Sequence, residues 1–273
     1  MNYEVIKINN DTWSLEDDFV RFFLLKGKDK ALMIDSGIDI ENVKALARAV
    51  LNGPKDGVSW REIEDGTKVT LEGEYVGQYK EPSDDDLPLE LLNTHGDGDH
   101  CFGNKEFDWF FLHEADWPHY RRQFGEKGTP HPIEDGEIID LGDRPLKIIF
   151  IPGHTFGSVA ILDINNRGLF AGDSVQDGNI FMFGGHRNFD DYPESLMKLQ
   201  DMEDEFDVVY ASHADLEMEP ESIGELFDAC ESIFHGEVVP EQKEFHGTMV
   251  DAYDCGVATF LIDLGRKFMD ADE

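Results

Sequence analysis

At 273 residues, with 40% apolar side chains and 20 phenylalanines, the chain can bury a substantial core as one large domain or two small ones. Its formal charge of -36 at pH 7, with no run of Lys or Arg, repels polyanions and excludes nucleic acid as an expected partner. No basic start followed by an apolar run opens the sequence, and no stretch approaches the roughly 18 apolar residues of a membrane span, so a cytoplasmic protein without a membrane anchor is expected.

An acidic excess can mark adaptation to high salt, but the phenylalanine and lysine content leans to an ordinary cytosolic surface made soluble by charge. Cys101, Cys230 and Cys255 lie at wide spacings that build neither a disulfide framework nor a CxxC zinc module, so reduced thiols are expected.

In chain order, "YEVIKI", "FVRFFLLKG" and "KALMIDSG" are short apolar or alternating runs closed by polar residues and glycine, the pattern of an antiparallel meander. "DIENVKALARAVL" then has helical spacing, with acidic residues expected in its first turn and "NGP" as its stop. Residues 55–86 change character: "GVSWREIEDGTKVTLEGEYVGQYK" alternates like a hairpin turning near "EGE", and "EPSDDDLP" reads as an exposed link. This segment looks inserted, as a lid, a homodimer contact or plain decoration, with Trp60, Tyr75 and Tyr79 as the residues through which it would act.

"LPLELLNT" is a strand, and "FDWFFLHEADWPHYRRQF" a strand running into a helix. "RPLKIIFIPG", "SVAILDI" and "GLFAG" are strands, "DDYPESLMKLQDM" a helix, "FDVVYASH" a strand, "ESIGELFDACESIF" a helix, and the tail two or three strands. Two blocks of strands, each followed by helices, predict an α/β (α+β) chain: an αββα sandwich of two mixed sheets flanked by helices, forming a single domain over 1–273 with a hairpin inserted at 55–86.

The chemistry concentrates in "LLNTHGDGDHCFGN", where His95, Asp97, Asp99 and His100 are separated only by glycines. Gly96 and Gly98 would let the chain turn sharply, so that alternate side chains converge. Imidazole and carboxylate donors suit zinc first, and iron or manganese where carboxylates are many. His and Asp recur at the ends of later strands, as His154 in "FIPGHTFGS", Asp173 in "FAGDSV" and His213 in "YASHAD".

This order resembles the metallo-β-lactamase superfamily, whose signature is THxHxDH after a strand, then PGHT, then GD, then a last histidine after another strand. The resemblance runs from "ALMIDSG" to "YASHAD". It implies two divalent metal ions, with His95 and His154 ligands of the first, Asp99, His100 and His213 ligands of the second, and Asp173 bridging. Asp97 stands where the family has its second histidine. Two divalent ions balanced by Asp97, Asp99, Asp173 and a hydroxide come to neutrality, whereas the usual histidine leaves a positive charge, so this centre would be the weaker Lewis acid.

The implied activity is hydrolysis of a small-molecule ester, thioester, lactone or phosphoester by a hydroxide bridging the metals, with Asp99 orienting that nucleophile. Flavodiiron proteins resemble the chain in carrying a carboxylate at the Asp97 position, which makes di-iron redox chemistry the alternative; a non-catalytic ligand binder on the same fold is a third. In "SVQDGNIFMFGGHRNFDDY", Phe181, Met182 and Phe183 are candidates for an apolar substrate wall, and Arg187 for holding a substrate carboxylate or phosphate. His186 reads as solvated, and His113, His119, His131, His235 and His246 lack a ligand context and are left outside the site.

Overall fold

The computed structural model describes residues 3–53, 61–62, 69–72 and 86–266, and its contacts divide them between two compact units. The first comprises residues up to Ile133 together with Ile138–Leu146; the second comprises Glu134–Glu137 and the chain from Lys147 onward.

In the first unit the strands are β1 (Tyr3–Asn9), β2 (Thr12–Asp17), β3 (Val20–Lys26), β4 (Ala31–Ile34), β5 (Arg61–Glu62), β6 (Val69–Glu72), β7 (Leu89–Leu92), β8 (Trp109–Phe111), β9 (Thr129–His131) and β10 (Ile138–Asp140). The helices are α1 (Val43–Asn52), α2 (Gly98–Cys101) and α3 (Trp117–Phe124). The first nine strands form one sheet in the order β5-β6-β1-β2-β3-β4-β7-β8-β9. β1 to β4 are the expected antiparallel meander, with β2 as a strand the sequence reading passed over, while β4, β7, β8 and β9 run parallel.

α1 buries Val43, Leu46, Ala47 and Val50, an i, i+3, i+4, i+7 stripe, against a core that includes Phe22, Leu24, Met33 and Leu91. Each of the Val and Leu side chains contributes about 1.5–3 kcal/mol of burial. No acidic residue lies in its first turn; instead Glu106, distant in sequence, accepts hydrogen bonds from the backbone N–H groups of Val43 (3.1 Å) and Lys44 (3.0 Å). Gly53, at φ 78°, ends the helix by donating to the Val50 carbonyl.

Of the 55–86 segment, the described strands form an antiparallel pair, with Arg61 opposite Thr70 and Glu62 opposite Val69, and β6 pairs in turn with β1 at the edge of the sheet. Trp60, Tyr75 and Tyr79 lie outside the described residues.

The second unit contains β11 (Pro145–Phe150) from Lys147 on, β12 (Val159–Asp163), β13 (Gly168–Gly172), β14 (Asn179–Met182), α4 (Tyr192–Gln200), β15 (Val208–Ala211), β16 (Glu217–Met218), α5 (Ser222–Phe234), β17 (Glu241–Phe245), β18 (Thr248–Asp254) and β19 (Thr259–Asp263). β11, β12, β13, β15 and β16 are successive neighbours, with β13 and β15 parallel; β14, β19, β18 and β17 make a separate sheet. β12 and β13 are buried along their whole length, and α4 and α5 bury Leu196, Leu199, Ile223, Leu226 and Ile233 in the same core. Mixed sheets flanked by helices are thus present in both units, as expected. Among the described residues no helix is long and apolar enough to cross a membrane.

One close approach connects this packing to the metal-ligand loop. Gly103 is the second residue after α2, and a methyl group there would collide with Val43 of α1 and sit 2.8 Å from the Ser36 carbonyl oxygen. Gly103→Ala should therefore destabilise the protein by about 1–3 kcal/mol, measured by chemical denaturation. An unchanged midpoint would show that the approach is not close in solution.

Candidate functional site

In the first unit the parallel strands deliver the donors at their carboxyl ends, the usual place for a site in an open α/β sheet. β7 ends at Leu92, and Asn93 to His100 follow; beside it β4 ends at Ile34 and hands over to Asp35. Asp35 is 1% exposed and adopts φ 64°, a left-handed conformation that aspartate tolerates better than most residues. Its Oδ1 accepts the Thr94 backbone N–H at 2.7 Å, and its Oδ2 accepts the Thr94 hydroxyl at 2.7 Å and His100 Nδ1–H at 2.9 Å.

Because the Thr94 hydroxyl proton goes to Asp35, Thr94 Oγ1 is left to accept from His95 Nδ1, 2.9 Å away. One buried carboxylate thereby sets the tautomer of two histidines, and both turn Nε2 away from it. His95 Nε2 lies 3.5 Å from Asp97 Oδ2, and His100 Nε2 lies 3.8 Å from Asp99 Oδ2. The two imidazoles sit with centroids 4.1 Å apart. A buried amide network fixes the turn that follows: Asn93 Nδ2 donates to the His100 carbonyl (2.8 Å), Asn104 Nδ2 to Asn93 Oδ1 (2.7 Å), and the Ser36 hydroxyl to Asn104 Oδ1 (2.7 Å).

Gly96 and Gly98 serve the loop differently from the sharp turn expected of them. Neither has a positive φ; they are small because α3 packs against them. A Cβ on Gly96 would sit 3.3 Å from the Asp116 backbone oxygen, and one on Gly98 would sit 2.9 Å from Gln123 Oε1. Asp116 accepts the Gly96 N–H at 2.7 Å, Gln123 donates to the Gly96 carbonyl at 2.8 Å, and His119 Nε2 meets Asp97 Oδ1 at 2.7 Å.

His119 therefore belongs with the site from which the sequence reading excluded it. Residues 116, 119 and 123 share one helical face, and that polar i, i+3, i+7 stripe is the signal that marks it. His113, by contrast, accepts the Ala115 N–H, and His131 stacks on Trp109.

Cys101 is fully buried, and its thiol points at the His95 carbonyl oxygen, 3.4 Å away. Burial first, then the carboxylates of Asp35, Asp97, Asp116 and Asp99, push its pKa well above the usual thiol range.

In the second unit His154 follows β11, Asp173 follows β13 and His213 follows β15. Asp173 Oδ2 is 3.5 Å from His154 Nε2 and 3.2 Å from His213 Nε2, so one carboxylate oxygen faces both imidazoles. His154 Nδ1 donates to the Phe181 carbonyl at 3.0 Å. Phe181 thus acts on the site through its backbone, while its ring packs against Phe183 and Phe245.

Met182 corrects the expected substrate wall: at 1% exposure it belongs to the core of this unit, with no surface for a ligand. Strand pairing of β14 with β19 is the reason, since alternation along β14 turns Met182 inward. Arg187, expected to hold a substrate anion, donates instead to the carbonyls of His154 (3.0 Å) and Phe183 (3.1 Å), with Nη1 2.8 Å from His154 Nε2.

These donor sets suit a divalent metal. His95 and His100 each have Nδ1 engaged and turn Nε2 toward a carboxylate, the arrangement by which metal-binding histidines are oriented. His154 has Nδ1 on the Phe181 carbonyl, but its Nε2 lies 2.8 Å from Arg187 Nη1 and 3.5 Å from Asp173 Oδ2, so the guanidinium would have to give way to an ion there. Nitrogen-to-oxygen separations of 3.2 to 3.8 Å at the four histidines are mostly too long for good hydrogen bonds. They approximate the spacing of about 3.3 Å between neighbouring ligand atoms in a tetrahedral site with bonds near 2.0–2.1 Å.

The chain is 25% identical over 211 residues to the acyl-coenzyme A thioesterase MBLAC2 of Gallus gallus, covering 67% of each protein, and 29% identical over 145 residues to that of Homo sapiens, covering 43% of this chain and 52% of the human protein. It is 31% identical over 128 residues to the hydroxyacylglutathione hydrolase of Maricaulis maris, covering 45% of this chain and 47% of that protein. The chain thus spans about half to two thirds of the length of these relatives.

Among solved structures, a metallo-beta-lactamase from Pontibacter korlensis superposes with a TM-score of 0.61 at 18% identity, covering 84% of this chain and 99% of that one. The DIM-1 metallo-beta-lactamase gives 0.62 at 12% identity, covering 85% and 97%. Both show the fold. Residues 15–213 match the Metallo-beta-lactamase superfamily, through every ligand candidate from His95 to His213. The chain belongs to the metallo-beta-lactamase superfamily.

Proposed function

We propose that the chain hydrolyses an acyl thioester of a small thiol carrier, using two divalent metal ions held by His95, Asp97, Asp99, His100, His154, Asp173 and His213. The observation that carries the reading is the set of oriented histidines, each turning Nε2 toward an aspartate. The substrate class is supported by relatives that act, by their names, on acyl-coenzyme A and hydroxyacylglutathione, both thioesters. Zinc suits these donors first, and three aspartates leave iron or manganese as alternatives.

When bound, the ions supply Lewis acidity at the acyl carbonyl and a water-derived nucleophile at neutral pH. The chain's own residues supply the rest. Asp99, with 22% side-chain exposure against 13% for Asp97 and 5% for Asp173, is the most accessible of the three carboxylates, and its Oδ2 is placed to orient an attacking water. The products are a carboxylic acid and a free thiol. A thiol, with a pKa near 8.5, leaves readily as thiolate, so the absence of a separate general acid from the motif is no obstacle.

Charge also separates the substrate classes. An aspartate in place of the second histidine lowers the charge of the centre by one, which reduces its attraction for a phosphoester dianion more than for a neutral thioester carbonyl.

Protein purified without added metal and offered acyl thioesters, lactones, oxygen esters and phosphoesters should release thiol from the thioesters. A chelator should abolish the release, and zinc or manganese should restore it. Thiol release insensitive to chelation, or hydrolysis confined to phosphoesters, would contradict the proposal.

Asp35→Asn provides a second check. The amide can still accept the Thr94 N–H but presents N–H groups toward Thr94 Oγ1 and His100 Nδ1, where acceptors are needed. Metal affinity should fall about 10- to 100-fold, read by competition with a chromophoric chelator. Wild-type affinity in this variant would show that the two histidines need no such orientation.

A further inference from the structure

We propose that His119 of α3 is a positioning residue for Asp97, holding one carboxylate oxygen so that the other alone serves as the metal ligand where the family has its second histidine. The inference rests on the metal-binding reading above. Histidine at that position would present a ring nitrogen of fixed direction. Aspartate is shorter, and it carries two equivalent oxygens that can rotate, chelate in a bidentate manner or turn away. Something must select one oxygen and one rotamer.

The geometry shows that selection. Asp97 Oδ1 lies 2.7 Å from His119 Nε2, a hydrogen-bond distance, whereas Oδ2 lies 3.5 Å from His95 Nε2, a spacing of the kind found between ligands of one metal. Arg122 Nη2, which can only donate, lies 3.4 Å from His119 Nδ1. Gln123 Nε2 lies 3.1 Å from the same His119 Nε2, but the shorter contact is to Asp97, whose carboxylate can only accept, so Nε2–H is the donor to Asp97 and Nδ1 the acceptor. Asp97 stands at the N-cap of α2 and makes no side-chain capping bond there.

His119 is itself held firmly. Tyr120 beside it is buried and donates through its hydroxyl to the Lys127 carbonyl at 2.7 Å. Asp116, at the N-cap of α3, and Gln123 on α3 bind the N–H and carbonyl of Gly96, one residue before Asp97. The absence of side chains at Gly96 and Gly98 admits them. α3 therefore grips the loop at three points, and the grip at Asp97 is the one that reaches a ligand.

The test is equilibrium metal binding, measured by titration against a chromophoric chelator and by metal analysis, on full-length wild type, His119→Ala, His119→Gln, Asp97→His and Asp97→His/His119→Ala. In His119→Ala, one of two zinc ions should bind about 10-fold or more weakly, with the other little changed. His119→Gln, which keeps a side-chain N–H donor, should recover part of that loss. In the Asp97→His background, where the ligand is again an imidazole, removing His119 should change metal affinity little.

Thermal unfolding of the metal-free proteins distinguishes loss of a ligand's support from loss of the fold. Wild-type affinities for both ions in His119→Ala, no recovery in His119→Gln, or an equal loss with and without Asp97→His would each overturn the inference. A wild type that binds no metal would overturn it together with the reading on which it rests.

Discussion

The buried carboxylate of Asp35 is the constraint from which the first ligand group follows. At 1% exposure it accepts three hydrogen bonds: two from Thr94 and one from His100. A carboxylate so far from water is tolerable only when its oxygens are satisfied, and these donors satisfy it. The same bonds dictate chemistry, because a histidine that gives its Nδ1 proton to an acceptor has only Nε2 left to offer a metal. His100 is set directly and His95 through the Thr94 hydroxyl. The left-handed backbone of Asp35 places it at the end of β4 beside the end of β7, so sheet register and ligand orientation are one arrangement.

A second group repeats the logic with different parts. His154 is oriented by a backbone carbonyl, that of Phe181, which β14 positions by pairing with β19. Asp173 presents a single oxygen to two histidines, as expected of a carboxylate shared between metals. In both groups the donors emerge from strand ends, while the residues that orient them come from neighbouring strands, from the next turn of chain, or from α3. Selecting a metal for such a set is a matter of donor type, and three aspartates among seven candidate ligands shift the balance toward harder ions than four histidines alone would choose.

Much of this was legible in the sequence, for identifiable reasons. His95, Asp97, Asp99 and His100 stand out because nothing but glycine separates them, and His154, Asp173 and His213 because each closes an apolar run. Most strands and helices announce themselves through periodicity. What stayed hidden depends on contacts between residues far apart in the chain. Asp35 looks like an ordinary turn residue after a strand, and its partners lie about sixty positions away. Glu106 caps α1 from a similar distance. β14 read as a loop because four residues carry little periodicity, and it is a strand only because β19 accepts it; Met182 faces the core for the same reason. His119 was passed over because a lone histidine on a helix has no ligand context until the packing of that helix is known.

The central claim is that the oriented histidines and aspartates, and not the cysteine adjacent to His100, are metal ligands. X-ray absorption spectroscopy of the zinc-loaded protein tests it most directly. The account predicts a shell of nitrogen and oxygen only, with an average of two imidazoles per ion from His95, His100, His154 and His213, and with bonds of about 2.0–2.2 Å. A sulfur scatterer near about 2.3 Å, or a shell without imidazole, would contradict it.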